Sequence, residues 1–282
     1  MNIKNVGVIG AGIMGSGIAQ VCAQGGYGVV MRDVEDRFVE KGVQIIRGNL
    51  ERLVKKEKLT QDEIGAIEGR IKGTVKVGDL ASCDLIIEAI IENRDLKRQL
   101  YQELNSLCGP KAIIASNTSS FSVTELAAYS NRPKNFVGLH FFNPVPVMAL
   151  VEIVRGLETS DEAVMIAKEV VNKIGKTGIE IKDSSGFAVN RILVPMLNEA
   201  VYALMEGIAS KEDIDNGMKL GCNHPIGPLA LIDLIGLDTI LAAIETFYCE
   251  FGDSKYRPCP LLRQKVRAGH LGRKTGKGFY DY

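Results

Sequence analysis

The chain has 282 residues, 46% hydrophobic and 24% charged, which is enough for two domains with sizeable cores. Lysine plus arginine and aspartate plus glutamate both total 34, so no bulk basic field invites nucleic acid. No apolar run approaches the roughly eighteen residues of a membrane helix, so no membrane partner is expected.

The chain opens on a short apolar run, Asn5-Val6-Gly7-Val8-Ile9, that feeds Gly10-Ala11-Gly12-Ile13-Met14-Gly15. A small-residue helix pattern follows through Ala23, and a second apolar run, Val29-Val30-Met31, stops at Asp33. A bare G-x-G-x-x-G is weak evidence. Here it follows a strand, opens a helix and has an acid about twenty residues on, which is the dinucleotide-binding context. Gly10 permits the tight turn, Gly12 lets backbone approach a pyrophosphate, and Gly15 lets helix and strand pack closely. The helix start at Ile13 and Met14 offers N–H groups and a positive dipole end to phosphate. A carboxylate at Asp33 accepts hydrogen bonds from a ribose 2′-hydroxyl and repels a 2′-phosphate, favouring NAD over NADP. Arg32 keeps NADP open, because a neighbouring guanidinium can turn toward a phosphate. The fingerprint begins almost at Met1, so the expectation is a chain without signal or transit peptide, residing in the cytoplasm.

Strand and helix patterns then alternate, implying a mostly parallel sheet covered on both faces. A long helical stretch runs from Glu35 to Lys58. Thr60-Gln61-Asp62-Glu63 reads as a capping box opening a second helix through Ile71. This inserted helical pair precedes a strand around Thr74 to Val77. Asp84 to Ile90 reads as a buried strand, Arg94 to Leu107 as a helix, and Ala112 to Ala115 as a strand ending in Ser116-Asn117-Thr118-Ser119-Ser120. Strands Val137–Phe142 and Val151–Arg155, a helix near Glu162 to Ile174 and a strand Gly178–Lys182 complete the unit. From Ser185 only helix patterns remain, about Gly186–Glu206, Lys211–Leu220, Pro228–Ile235, Asp238–Phe251 and Pro260–Ala268. The expected organisation is α/β: a Rossmann-like domain over residues 1–184, then an all-helical domain over 185–282, with substrate in a cleft between them.

His140 and Glu152 each interrupt an apolar strand. If residues 143–149 form a hairpin loop, symmetry about Pro146 sets the two opposite each other, with Cβ atoms about 5 Å apart. A buried carboxylate needs a partner. Aimed at one imidazole nitrogen, it fixes the tautomer and raises the basicity of the other, as a general base requires. A purely structural His–Glu bond has the same signature. The Ser116–Ser120 hydroxyls sit at a strand's carboxyl end, which faces ligand in an open α/β sheet, yet they also suit a helix cap before Val123. Asn190 lies on an apolar stripe with Leu193, Leu197, Val201 and Leu204, and its amide must hold either backbone or a substrate carbonyl. Lys55, Lys56 and Lys58 are either a solvated face or a receiver for a phosphate-bearing substrate tail. Cys22, Cys83, Cys108, Cys222, Cys249 and Cys259 lie far apart and read as free thiols; with no ligand spacing among His140, His224 and His270, no metal is expected.

These motifs, taken in order, resemble the short-chain L-3-hydroxyacyl-CoA dehydrogenases, particularly the bacterial 3-hydroxybutyryl-CoA enzymes, over essentially the whole length. The carriers are the Gly10–Gly15 turn, Glu88-Ala89-Ile90-Ile91-Glu92-Asn93, Ala115–Ser120, Gly138–Pro144, Gly186–Arg191, His224–Leu229 and Gly272–Tyr280. Ala188 departs from the pattern, where a bulkier aliphatic is common; at most this alters packing near Asn190. The resemblance implies NAD-linked interconversion of L-3-hydroxyacyl-CoA and 3-ketoacyl-CoA, with homodimerisation through the helical domain. It implies His140 as general acid/base oriented by Glu152, and Ser119 and Asn190 around the substrate oxygen. It further implies NAD contacts at Glu92, Lys97, Ser119, Asn143 and Lys274, and a CoA contact at Lys56. Three other readings stay open: an NADP-preferring form, a dehydrogenase of another 3-hydroxy acid or acyl-CoA, and a nucleotide-binding regulatory protein without turnover.

Overall fold

The computed structural model describes residues 3–282, and the chain divides into two compact units, residues 1–184 and 185–282. In the first unit the Gly-rich turn joins β1 (Asn5–Ile9) to α1 (Ile13–Gln24), followed by β2 (Gly28–Arg32). The inserted pair is α2 (Asp36–Lys55) and α3 (Gln61–Glu68). Then come β3 (Ile71–Thr74), β4 (Leu85–Glu88), α4 (Arg94–Leu107), β5 (Ile113–Ser116), α5 (Val123–Tyr129), β6 (Phe136–Phe141), β7 (Leu150–Arg155), α6 (Asp161–Lys173) and β8 (Thr177–Lys182). The strands form one sheet in the order β3-β2-β1-β4-β5-β6-β7-β8, parallel except for the antiparallel β6–β7 pair. Strand order reverses between β1 and β4, and in open α/β sheets ligands bind outside the carboxyl ends at such a point.

Local chemistry explains the elements. Val39, Ile46 and Leu50 bury one face of α2 against the core, a spacing that follows the helical period. Thr60 caps α3 reciprocally with Glu63: Thr60 Oγ1 accepts from the Glu63 N–H at 3.3 Å, and Glu63 Oε2 accepts from the Thr60 N–H at 2.7 Å. β4 and β5 are buried on both faces, as central parallel strands are.

Several boundaries differ from the sequence-based expectation; the second inserted helix ends at Glu68 rather than Ile71, which opens β3. The third strand occupies residues 71–74 rather than 74–77, and the chain turns away after Thr74, whose hydroxyl bonds Asp79 at 2.6 Å and accepts from the Lys76 N–H at 3.1 Å. The long helix ends at Lys55, since Glu57 takes the left-handed conformation at φ +55°, so Lys56 and Lys58 lie beyond it. The first helix of the second unit starts at Val189 rather than Gly186, because Gly186 (φ +79°) and Phe187 (φ +53°) are both left-handed.

That second unit is helical: α7 (Val189–Met205), α8 (Lys211–Gly221), α9 (Pro228–Ile235), α10 (Leu237–Phe251) and α11 (Pro260–Arg267). Leu197, Val201, Leu229, Ile232, Ile244 and Leu262 form its own core. Among the described residues no helix is long and apolar enough to cross a membrane.

Cys22, Cys83, Cys108 and Cys259 are buried, whereas Cys222 and Cys249 are exposed. Burial pushes the Cys22 and Cys83 thiols up to about 12, far from the thiolate form that reacts. At about pH 8 the native protein should therefore give up at most two of its six thiols to Ellman's reagent, and the rest only in denaturant. Rapid reaction of three or more would show this packing to be wrong.

Candidate active site

The site is built along one register row at the carboxyl edge of the sheet. Ile9 of β1 pairs Glu88 of β4, Glu88 pairs Ser116 of β5, and Ser116 pairs Gly138 of β6. Everything that follows these residues in sequence emerges from the same edge: the Gly-rich turn, Glu92, Ser119 and His140. On the other side of β1, Ile9 pairs Arg32, which sets Asp33 beside the turn.

The turn has the shape that the three glycines allow. Gly10 sits at φ +100°, and a Cβ on it would lie 2.5 Å from the Ala89 carbonyl oxygen of the neighbouring strand's exit. A Cβ on Gly15 would lie 1.7 Å from the Gly10 carbonyl oxygen, so only glycine lets α1 start this close to β1. Gly12 is exposed, and a side chain there would meet nothing within 4 Å. Ile13 is exposed and Met14 half-buried at the start of α1, which has neither a side-chain cap nor an acid in its first turn. Its N–H groups and positive dipole end thus face outward without competition, and this fits the pyrophosphate of a dinucleotide. The half-buried Asp33 is held against the turn, its Oδ2 accepting from the Ala11 N–H at 2.6 Å and its Oδ1 from the Val34 N–H at 2.7 Å. The Arg32 guanidinium points elsewhere, donating to the Val75 carbonyl at 3.4 Å.

On the far side of the row, the β6–β7 hairpin sets His140 directly opposite Glu152. Both are buried, and His140 Nδ1 lies 2.7 Å from Glu152 Oε2. A carboxylate there requires Nδ1 to carry the proton, which directs the chemistry of the ring to Nε2. The Phe142 ring lies tilted against the imidazole at 4.6 Å between centroids. Two contacts hold this hairpin in place. Asn117 Oδ1 accepts from the Phe141 N–H at 2.9 Å, fastening the end of β6 to the β5 exit. Lys176 is buried and donates to the carbonyls of Val145 at 2.7 Å and Met148 at 2.6 Å, bracing the loop between the strands.

Ser119 is exposed at the same edge, and its backbone N–H donates to Glu92 Oε1 at 3.0 Å. The neighbouring hydroxyls are structural: Thr118 donates to Glu92 Oε1 at 2.8 Å, and Ser122 caps α5. Asn143 is exposed just past β6. Lys97, by contrast, lies inside the protein, its ammonium 2.6 Å from Glu88 and 3.3 Å from Glu92. Lys56 is exposed in the turn after α2. In the second unit, Asn190 lies half-buried in the first turn of α7, and the amide that holds backbone is instead Asn198. Asn198 donates to the Arg257 carbonyl at 3.1 Å and accepts from the Cys259 N–H at 2.9 Å. Lys274, also in that unit, is clasped by both carboxylate oxygens of Asp238, at 2.6 and 2.7 Å.

Sequence reasoning passed over Glu88, Asn117 and Lys176. A charge interrupting an apolar strand, the signal that marks His140 and Glu152, applies equally to Glu88. For Asn117 and Lys176 the partners are backbone atoms, which no residue pattern announces.

The chain is similar to known proteins over its whole length. Residues 5–184 match the 3-hydroxyacyl-CoA dehydrogenase NAD binding domain and residues 186–282 the C-terminal domain of that enzyme. A probable 3-hydroxybutyryl-CoA dehydrogenase of Deinococcus radiodurans is 53% identical over 98% of this chain and 99% of its own. A 3-hydroxybutyryl-CoA dehydrogenase of Bradyrhizobium diazoefficiens is 51% identical over 99% and 96%. The crystal structure of (S)-3-hydroxybutyryl-CoA dehydrogenase from Ralstonia eutropha superposes with a TM-score of 0.98 at 55% identity, covering 100% of this chain and 99% of that one. The chain is a member of the 3-hydroxyacyl-CoA dehydrogenase family, an oxidoreductase with that family's NAD-binding and C-terminal domains.

Proposed function

We propose that this enzyme interconverts L-3-hydroxybutyryl-CoA and acetoacetyl-CoA, using NAD(H) in preference to NADP(H). The observation that carries the reading is the buried His140–Glu152 pair, which sits at the same sheet edge as the Gly-rich turn and three strands away, about 15 Å at ordinary strand spacing. Bound NAD supplies the hydride acceptor in oxidation, and NADH the donor in reduction.

In the oxidative direction, His140 takes the proton of the 3-hydroxyl on Nε2 while Glu152, held on Nδ1, stabilises the imidazolium that forms. In reduction the same nitrogen returns the proton to the ketone oxygen. Ser119 positions that oxygen and supports its developing charge; Asn190 joins it on the strength of the family resemblance. Glu92 and Asn143 would contact the cofactor, as the family resemblance implies, and Asp33 would accept hydrogen bonds from its ribose hydroxyls. The cofactor role of Lys274 and the CoA role of Lys56 rest on the resemblance alone. A second copy of the chain pairs through the helical unit, whose exposed Ile192, Ile208 and Leu220 support that reading.

The deciding experiment follows NADH absorbance with acetoacetyl-CoA, with longer 3-ketoacyl-CoAs and with free acetoacetate. Turnover of the CoA thioester is expected; turnover of the free acid at equal rate would favour a 3-hydroxy acid dehydrogenase, and none at all a regulatory protein. His140→Ala should bind NADH normally yet lose about 10²–10⁴ in kcat, the usual worth of a general acid/base. Near-normal turnover would remove His140 from the mechanism. In Glu152→Gln the charge that stabilises the imidazolium is withdrawn, so kcat for reduction should fall by about tenfold or more while NADH still binds. An unchanged kcat would sink the orienting role. Paired kinetics with NADH and NADPH on Asp33→Ala should show the preference for NADH relaxed by about tenfold or more, as loss of one charged interaction implies.

A further inference from the structure

Beneath Ser119 the first unit contains a second buried carboxylate cluster, centred on Glu88. Its carboxylate is fully buried and accepts four hydrogen bonds: from the Lys97 ammonium at 2.6 Å, the Tyr101 hydroxyl at 2.5 Å, the Ser116 hydroxyl at 2.8 Å and the Ile90 N–H at 2.8 Å. Burial, and then the charge of Glu88, push the Tyr101 hydroxyl well above its ordinary range, so it stays a donor. Lys97 is equally buried, and its charge is divided: besides Glu88 it reaches Glu92 at 3.3 Å, whose side chain is 37% exposed at the sheet edge. Glu92 in turn grips the Thr118 hydroxyl at 2.8 Å and the Ser119 N–H at 3.0 Å. A second path runs through Ser116, whose hydroxyl donates to Glu88 and accepts from the Thr118 N–H at 3.2 Å. Both paths leave one buried carboxylate and converge on residues 118 and 119.

We propose that Glu88 is a positioning residue: through Lys97 and Ser116 it fixes Glu92 and the 118–119 backbone, and so sets where Ser119 meets the reacting oxygen. This rests on the reading of Ser119 given above. An ion pair that merely held α4 to the sheet would need no third member. Here the cation is shared with a carboxylate on the ligand-facing edge, and that carboxylate holds the backbone of the very residue assigned to the substrate.

The test uses the full-length protein with NADH and acetoacetyl-CoA, in Glu88→Gln, Lys97→Met and the double variant. Each single change strands a buried charge and should lower the melting temperature by about 10 °C; the double variant, with neither charge, should recover most of it. Glu88 feeds both paths and Lys97 only one, so kcat should fall about tenfold in Glu88→Gln, by no more than that in Lys97→Met, and stay about tenfold down in the double, with KM for acetoacetyl-CoA within about twofold. A double variant whose kcat recovers along with its melting temperature would overturn the proposal, reducing the pair to structure. Losses that multiply to about a hundredfold would overturn it too, because the residues would then act independently. The backbone amide resonance of Ser119 in a nitrogen-15 spectrum should move in the double variant, and an unmoved resonance would overturn the proposal without reference to turnover. Failure of the unmodified enzyme to reduce acetoacetyl-CoA would instead strike the functional reading, and the Ser119 resonance would still decide the role of Glu88.

Discussion

A carboxylate taken out of water must be answered by a cation, a proton or hydrogen-bond donors, and the carboxyl edge of this sheet is organised by two such demands. Glu152 is answered by His140 across the hairpin, at 2.7 Å. Glu88 is answered by Lys97 from the first turn of α4, by Tyr101 one turn on, and by Ser116 from the adjacent strand. Because the donors come from different elements, each answer also fixes geometry: it sets the imidazole ring orientation in one case and the loop after β5 in the other. The Gly-rich turn is locked into the same edge by backbone, with the Ala89 N–H donating to Ile9 at 2.7 Å and the Gly10 N–H to Arg32 at 2.8 Å. The turn, the loop and the imidazole therefore cannot shift independently.

Much of this was legible in the sequence because strand physics is periodic. Apolar runs of four to six residues bounded by glycine, asparagine and serine marked the central strands, and Gly10, Gly12 and Gly15 are readable as a turn for steric reasons that the Gly10–Gly15 approach makes explicit. The facing of His140 and Glu152 follows from counting outward from the centre of a hairpin, since antiparallel pairing conserves the sum of residue numbers. What could not be read was where regular structure stops. Glu57 and Phe187 end or delay helices by adopting φ near +55°, a conformation favoured for glycine and asparagine and not announced by glutamate or phenylalanine. The third strand stops at Thr74, whose hydroxyl finds Asp79 five residues on, a contact invisible to any pattern of hydrophobicity.

The amides of α7 show the same limit at the level of a single side chain. Apolar spacing makes Asn190 conspicuous, but the delayed helix start puts it in the first turn, while the fully demanded hydrogen bonds fall to Asn198. Periodicity located the face of the helix. It did not say which of two asparagines two turns apart would meet the backbone of residues 257 and 259, because that depends on the path of a loop about sixty residues away.

The second unit offers an internal control for the meaning of buried acids. Asp215 and Asp233 are as buried as Glu88, yet they are answered chiefly by backbone N–H groups: Leu229 and Ala230 for the first, Phe279 and Tyr280 for the second, with tyrosine hydroxyls completing each. Such carboxylates fasten a helix start and the chain terminus, where their charge is spread over fixed dipoles and goes no further. In the first unit the answers come from titratable side chains, His140 and Lys97. Exchanging a buried ion pair for apolar residues is often neutral or stabilising by about 1–4 kcal/mol, so stability alone gives no reason for the Glu88–Lys97 pair, and the His140–Glu152 bond lies along the same sheet edge. Their common property is that each joins a buried charge to a group facing the carboxyl ends of the strands, which is where an open α/β sheet receives its ligand. The expense in stability is thus confined to the place where orienting a proton carrier and a backbone loop has a chemical return.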